Sequence, residues 1–217
     1  MAGGRGERAR GATQETPKQF RPLGGRALVA RSYDLLIDAG CSPVIVVVAP
    51  DLFELARTLL PPEVVLAPGR ASRAGSVASG LERVSSERVV IHDAVRPFAP
   101  PQLVRSVVAA LADADGAIAA IPVEETLKQV EDDRVVETVD RAGVWRAQTP
   151  QAFRTGAIRA AHEWANQNGV TVTDDAQLLE HAGRRVVVVP GSRTNLKITF
   201  PEDFAVAEAF LRARVIA

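Results

Sequence analysis

Short β-branched runs alternate with amphipathic stretches along this chain. Val44-Ile45-Val46-Val47-Val48-Ala49 is apolar at every position, and runs of similar character recur at 63–67, 88–92, 117–121 and 185–189. Strands without polar alternation are buried on both faces, which is the mark of a parallel sheet. Helical periodicity occupies 26–39, 52–60, 73–84, 101–112, 155–168, 174–182 and 201–214. The alternation predicts an α/β fold with helices on both faces of a mostly parallel sheet. Helix ends carry matching chemistry. Gly40 and Gly183 follow helical runs, and Pro201-Glu202-Asp203 puts proline and two acids into a first turn, where missing N–H and dipole favour them.

Residues 123–153 break this rhythm. The segments 126–130 and 134–139 flank the acidic Glu131-Asp132-Asp133 and predict a hairpin arm. A protruding hairpin cannot bury its own apolar side, so it is expected to pack on something, a second subunit being one candidate.

Size and charge narrow the class. At roughly 150 residues per domain, 217 residues make one large domain with an excursion. The formal net charge is zero, which argues against a nucleic-acid clamp or a polybasic membrane binder. No apolar run reaches the roughly 18 residues of a membrane span. One cysteine, Cys41, excludes an internal disulfide framework and suits a reducing compartment, so a cytoplasmic protein is expected. His92, His162 and His181 are too scattered to suggest a zinc site. Lysine occurs only at 18, 128 and 197, with arginine at every other one of the 26 basic positions. A lysine kept against that bias marks a place where a compact ammonium is useful, or chance.

Gly4-Arg5-Gly6-Glu7-Arg8-Ala9 fits a dinucleotide-binding pattern in letters only. That pattern needs a strand before it and a helix directly after, and neither is present. Ala2-Gly3-Gly4-Arg5-Gly6-Glu7-Arg8 followed by Pro17-Lys18-Gln19-Phe20 is more informative. Glycines let backbone N–H groups wrap a polyphosphate, and Arg8 and Lys18 can neutralise charge on a phosphorus under attack. With Arg73-Ala74-Gly75-Ser76-Val77, His92-Asp93-Ala94-Val95-Arg96-Pro97, Glu125-Thr126-Leu127-Lys128, Gln148-Thr149-Pro150-Gln151-Ala152-Phe153-Arg154, Thr173-Asp174-Asp175-Ala176 and Asn195-Leu196-Lys197-Ile198-Thr199, the chain resembles the 2-C-methyl-D-erythritol 4-phosphate cytidylyltransferase family over nearly its whole length.

The resemblance implies a Rossmann-like nucleotidyltransferase fold of three layers (GT-A-like) with a β-arm at 123–153, and a homodimer. It implies CMP transfer from CTP to a polyol phosphate in isoprenoid precursor synthesis, with Mg2+ held mainly by the CTP phosphates. By position, Arg8 and Lys18 would stabilise the transition state, and Lys197 would hold acceptor phosphate and triphosphate together. Arg154 and Thr138 would serve the polyol phosphate, Arg154 from the partner's arm, and Arg96 would assist. Ala2, Gly3, Gly4, Gly6, Gly69 and Ser76 would bind the nucleotide. Asp93 would accept from ligand hydroxyls or help hold the metal. Read by itself, Asp93 is more often a loop acid paired with Arg96, and His92 more often a core histidine than a base.

Three departures accompany the resemblance. No apolar strand precedes the glycine loop, so Met1 reads as an internal residue of a longer chain. Gly69-Arg70-Ala71-Ser72 lacks a second glycine near the base, and Glu125 replaces an aspartate. Two other readings stand beside the first: a ribitol-5-phosphate cytidylyltransferase, and a non-catalytic nucleotide-binding relative.

Overall fold

The structure, a computed structural model, describes residues 1–2 and 16–213. A 3-10 turn at Lys18–Phe20 leads to a ribbon of β1 (Pro22–Leu23) and β2 (Arg26–Ala27), then α1 (Leu28–Asp38). β3 (Ile45–Val48), α2 (Phe53–Leu59), β4 (Val65–Pro68), α3 (Arg73–Leu81), β5 (Arg88–Ile91), α4 (Pro101–Ala109) and β6 (Gly116–Pro122) follow. The arm is β7 (Leu127–Glu131) and β8 (Arg134–Val139). The chain then returns as β9 (Trp145–Arg154) and closes with α5 (Thr155–Gln167), α6 (Ala176–His181), β10 (Val186–Pro190) and α7 (Pro201–Arg212). Each expected strand and helix is present, within a few residues at its ends.

The main sheet runs β10-β6-β9-β5, and β3 pairs with β4 beside it. β10–β6 and β3–β4 are parallel, while β9 is antiparallel to both β5 and β6. The expected arm at 123–153 is therefore too long: from Trp145 on, the chain belongs to the main sheet. Its alternation shows why. Ala152 packs with Leu103, Val107 and Leu111 from the α4 side. Phe153 packs with Ile158, Leu178 and Leu179 from α5 and α6. Successive side chains on a strand point to opposite faces, so β9 joins the two helical layers through one sheet. The arm's turn places Asp132 and Asp133 at φ 46° and 64°, a left-handed pair that suits a tight hairpin and that aspartate tolerates.

The sheet is not continuous between β3 and β5. Among the described residues, Met1 and Ala2 cross from one to the other. Ala2 N–H donates to Val47 C=O at 2.9 Å, and Ala94 N–H donates to Met1 C=O at 2.9 Å. Beyond Met1 the two strands flank a cavity of about 550 Å³. Among the described residues no helix is long and apolar enough to cross a membrane.

Phe153 is fully buried between the layers. Phe153→Ala is expected to cost about 3–5 kcal/mol in urea unfolding, the transfer term plus the cavity it leaves. Trp145→Ala, at a position 44% exposed, is expected to stay within about 0.5 kcal/mol of the parent.

Candidate active site

Open α/β sheets place ligands beyond the carboxyl ends of their strands. At the end of β5 the chain turns through His92, Asp93 and Arg96. Asp93 is 8% exposed, so its carboxylate needs partners to stay ionised. It has two. Lys197 Nζ lies 2.8 Å from one oxygen and Arg73 Nη2 3.6 Å from the other. Burial pushes the Asp93 carboxyl up, but Lys197 and Arg73 outweigh it and hold it well below the usual carboxylate range. Arg73, the first residue of α3, is itself anchored. Its Nη1 donates to the fully buried Asp175 at 2.6 Å. Asp174, one residue earlier, accepts from Gln177 N–H at 3.0 Å as a helix-start acid. Of these two neighbouring aspartates, one therefore opens α6 and the other faces inward.

Lys197 rides on a loop fixed from both ends. Ile198 N–H donates to Val95 C=O at 2.9 Å. Asn195 Nδ2 donates to Thr149 C=O at 2.8 Å and to Gln148 Oε1 at 3.1 Å. Arg96 Nη1 donates to Asn195 C=O at 2.8 Å. Gly191 lets the loop enter: a Cβ there would lie 2.5 Å from Gln148 Oε1 and 3.1 Å from Ala120 O. The Gln-Thr segment of β9 thus sets the position of the lysine.

His92 belongs to this scaffold. Its Nε2 faces Arg96 C=O at 2.9 Å, so that nitrogen carries the proton and donates. Nδ1 then accepts from Thr149 O–H at 3.1 Å, and Thr149 Oγ1 accepts from Asp93 N–H at 3.0 Å. Burial pushes the His92 pKa down to about 4 against the pull of the Arg96 carbonyl. A neutral imidazole with both nitrogens engaged orients the Asp93 turn.

Of the residues expected to bind the nucleotide, Gly69 falls at the neighbouring strand end and Ser76 in α3. Gly69 follows β4, and its N–H donates to Val48 C=O at 2.6 Å. A Cβ on Gly69 would sit 3.2 Å from the Val48 backbone, so only glycine fits this approach without a shift. Ser76 is buried, and its hydroxyl accepts from Arg70 N–H at 2.9 Å while lying 2.9 Å from Ser72 C=O. That hydroxyl shapes the 69–72 loop. Gln19 Nε2 donates to Ala2 C=O at 2.8 Å, which ties the Lys18 turn to the start of the chain. Gly3, Gly4, Gly6 and Arg8 lie outside the described residues.

Two expected residues stand apart from Asp93. Thr138 sits on the exposed arm, where Lys128 Nζ donates to its hydroxyl at 2.6 Å. Arg154 is not on the arm. It closes β9 opposite Arg88, at the end of β5 away from Asp93. Its guanidinium donates to Leu111 C=O at 2.8 Å and Ala114 C=O at 3.2 Å, which satisfies carbonyls left over where the α4 segment ends. Within one chain, then, Asp93 meets Lys197 directly and Arg96 holds the lysine loop, Ser76 shares α3 with the Arg73 that reaches Asp93, and Thr138 and Arg154 lie elsewhere. The structure adds Arg73, Asp175, Thr149 and Asn195. Each lies in a motif visible in the sequence, but nothing local marks its side chain as facing Asp93.

Residues 1–213 match the family described as IspD, 2-C-methyl-D-erythritol 4-phosphate cytidylyltransferase. The chain belongs to this family. A member from Cereibacter sphaeroides ATCC 17023 is 44% identical over 97% of this chain and 94% of its own length. One from Geobacillus kaustophilus is 38% identical over 99% and 96%. A bifunctional IspD/IspF enzyme of Rhodobacter capsulatus is 42% identical, and the chain spans 55% of it. Among solved structures, the cytidylyltransferase of Thermus thermophilus superposes with a TM-score of 0.80 at 36% identity, covering 90% of this chain and 94% of that one. The Rossmann-like nucleotidyltransferase fold is that of the family.

The depressed His92 pKa has a pH signature. An unfolded histidine titrates near about 6.5, so between about 6.5 and 4 the unfolded state holds the proton and the folded state does not. The contribution is complete above about pH 6.5 and is lost as pH falls toward 4. His92→Gln is expected to flatten the melting-temperature profile between about pH 6.5 and 5. A slope equal to the parent's would place the acid sensitivity elsewhere.

Proposed function

We propose that the protein transfers CMP from CTP to 2-C-methyl-D-erythritol 4-phosphate, giving CDP-methylerythritol and pyrophosphate. The family is one of cytidylyltransferases, so the chain is a nucleotidyltransferase. The observation that carries the reading is the ionised Asp93 between Lys197 and Arg73 at the carboxyl edge of the sheet. Ribitol 5-phosphate as acceptor, and a non-catalytic relative, have no comparable support.

In this reaction a phosphate oxygen of the acceptor attacks the α-phosphorus of CTP. A new P–O bond forms, the α–β bridging bond breaks, and pyrophosphate leaves with the electron pair. A phosphate monoester is largely dianionic at pH 7, so no general base is required. That agrees with His92 being neutral and fully engaged. The work left is positioning and charge stabilisation. Lys197, steered by Asp93, holds the two phosphate groups together against their repulsion. Arg8 and Lys18 stabilise charge on the attacked phosphorus, and backbone groups of Ala2, Gly3, Gly4, Gly6 and Gly69 take the nucleotide.

Among the described residues no three His, Cys, Asp or Glu side chains cluster as a metal cage. A divalent cation, Mg2+, would be held mainly by the triphosphate oxygens, with the Asp93 carboxylate the residue that would assist. Such a cation would offset phosphate charge. We place the protein in the cytoplasm as a homodimer through the arm, where Val130, Val135 and Val136 are each more than half exposed, and assign Thr138 to the partner's acceptor. Arg154 is assigned to the fold.

The test is pyrophosphate release from CTP and Mg2+ with each polyol phosphate in turn. Turnover with methylerythritol phosphate alone is expected, and turnover only with ribitol 5-phosphate would replace the acceptor. Lys197→Ala is expected to lower kcat/KM by roughly 10²–10³-fold, and a loss under about threefold would remove its role. Arg154→Ala is expected to leave the acceptor KM within about threefold while lowering the melting temperature. A KM rise well beyond that would return Arg154 to the acceptor site.

A further inference from the structure

Arg73 touches two carboxylates with one guanidinium. Its Nη1 donates to Asp175 at 2.6 Å, and its Nη2 lies 3.6 Å from Asp93. The two contacts differ in kind. The Asp175 side chain is fully buried, and its Oδ1 has no hydrogen-bond partner among the described residues. That oxygen lies 3.4 Å from His162 Nε2, which has none either. Moving Arg73 away would strand a buried carboxylate, which is strongly unfavourable. The root of the arginine is fixed as well. Arg73 opens α3, and Ser72 Oγ caps that helix by accepting from Gly75 N–H at 2.9 Å. Gln151 Nε2 donates to Asp174 at 3.2 Å and ties the Asp175 turn to β9. Burial lowers the Arg73 pKa, but Asp175 and Asp93 outweigh it and raise it above the ordinary arginine value. Arg73 is a resident cation.

Lys197 is the opposite case. It makes the shorter contact to Asp93, at 2.8 Å, yet its side chain is 44% exposed. Its single ammonium sits on a flexible stem, whereas the arginine fork is committed to two acids. While Lys197 faces Asp93, its charge is engaged by a carboxylate and not by phosphate. If Lys197 turned away with no second cation present, Asp93 would be left as a buried charge without a partner. Arg73 removes that obstacle, since its guanidinium already lies beside the other carboxylate oxygen.

We propose that Asp175 is a positioning residue for the transfer: by holding Arg73 beside Asp93, it lets Lys197 turn from the carboxylate to the CTP phosphates. This role rests on the cytidylyl transfer proposed above. Arg73 then needs no contact with the nucleotide, and Asp175 acts wholly through Arg73.

Isotope labelling of lysine nitrogen gives side-chain ammonium signals for Lys18, Lys128 and Lys197, assigned by replacing each with arginine. CTP with Mg2+ is expected to shift the Lys197 signal of the parent chain and to leave it in place in Asp175→Asn. The same variant is expected to lower kcat for pyrophosphate release by about tenfold or more, with the acceptor KM within about threefold of the parent. Removing one member of a buried pair destabilises, so Arg73→Met combined with Asp175→Leu serves as the folding control. That apolar pair is expected to melt within about 5 °C of the parent, with the same loss of kcat and the same unmoved signal. A Lys197 signal that still follows CTP in either variant, or a kcat within about threefold of the parent, overturns the role while parent turnover upholds the reaction. A parent that releases no pyrophosphate overturns the reaction and the role together.

Discussion

The site depends on one constraint: a carboxylate held out of water must be balanced by cations that are themselves held. Asp93 is that carboxylate. Lys197 reaches it from a loop after β10, and Arg73 from the start of α3. Arg73 in turn answers to Asp175, and Asp175 lies 3.4 Å from His162 Nε2 on α5. Segments far apart in sequence therefore meet through alternating charges. Breaking such a chain at one member leaves its neighbour buried without a partner, which costs more than the pair itself contributes.

The hydrogen-bonded scaffold under this chain explains its position. Thr149 links His92 to the Asp93 backbone, and Asn195 ties the lysine loop to the same part of β9. Neutral groups hold the geometry and charged groups face the space where phosphates would lie. This division suits a transfer driven by electrostatic preorganisation, since scaffold atoms need not reorganise as charge develops.

Much of this was legible in the sequence. Continuous Val/Ile runs marked the doubly covered strands, and the rarity of lysine drew attention to Lys197. What was not legible shares a physical cause. β9 carries polar residues at Gln148, Thr149 and Gln151, so it lacks the pattern of a buried strand. Those residues are buried because they bond to the loop and to Asp174 rather than to water. Arg154 sits in a motif with the right letters, yet its guanidinium is taken up by carbonyls near the end of α4. Asp175 looks like any helix-start acid until the turn of α6 aims it inward. In each case a tertiary partner decided the role, and local sequence does not encode partners.

The strand order β10-β6-β9-β5 has a consequence for how the chain comes off the ribosome. β5 and β6 are made first, but β9 lies between them and is completed only at Arg154, after the whole arm. Until then their facing edges have no permanent neighbour. Non-local pairing of this kind slows folding and leaves sticky edges open in the meantime. The nascent protein thus passes through a stretch of synthesis in which those two edges stay open, and it ends when a single strand slides home.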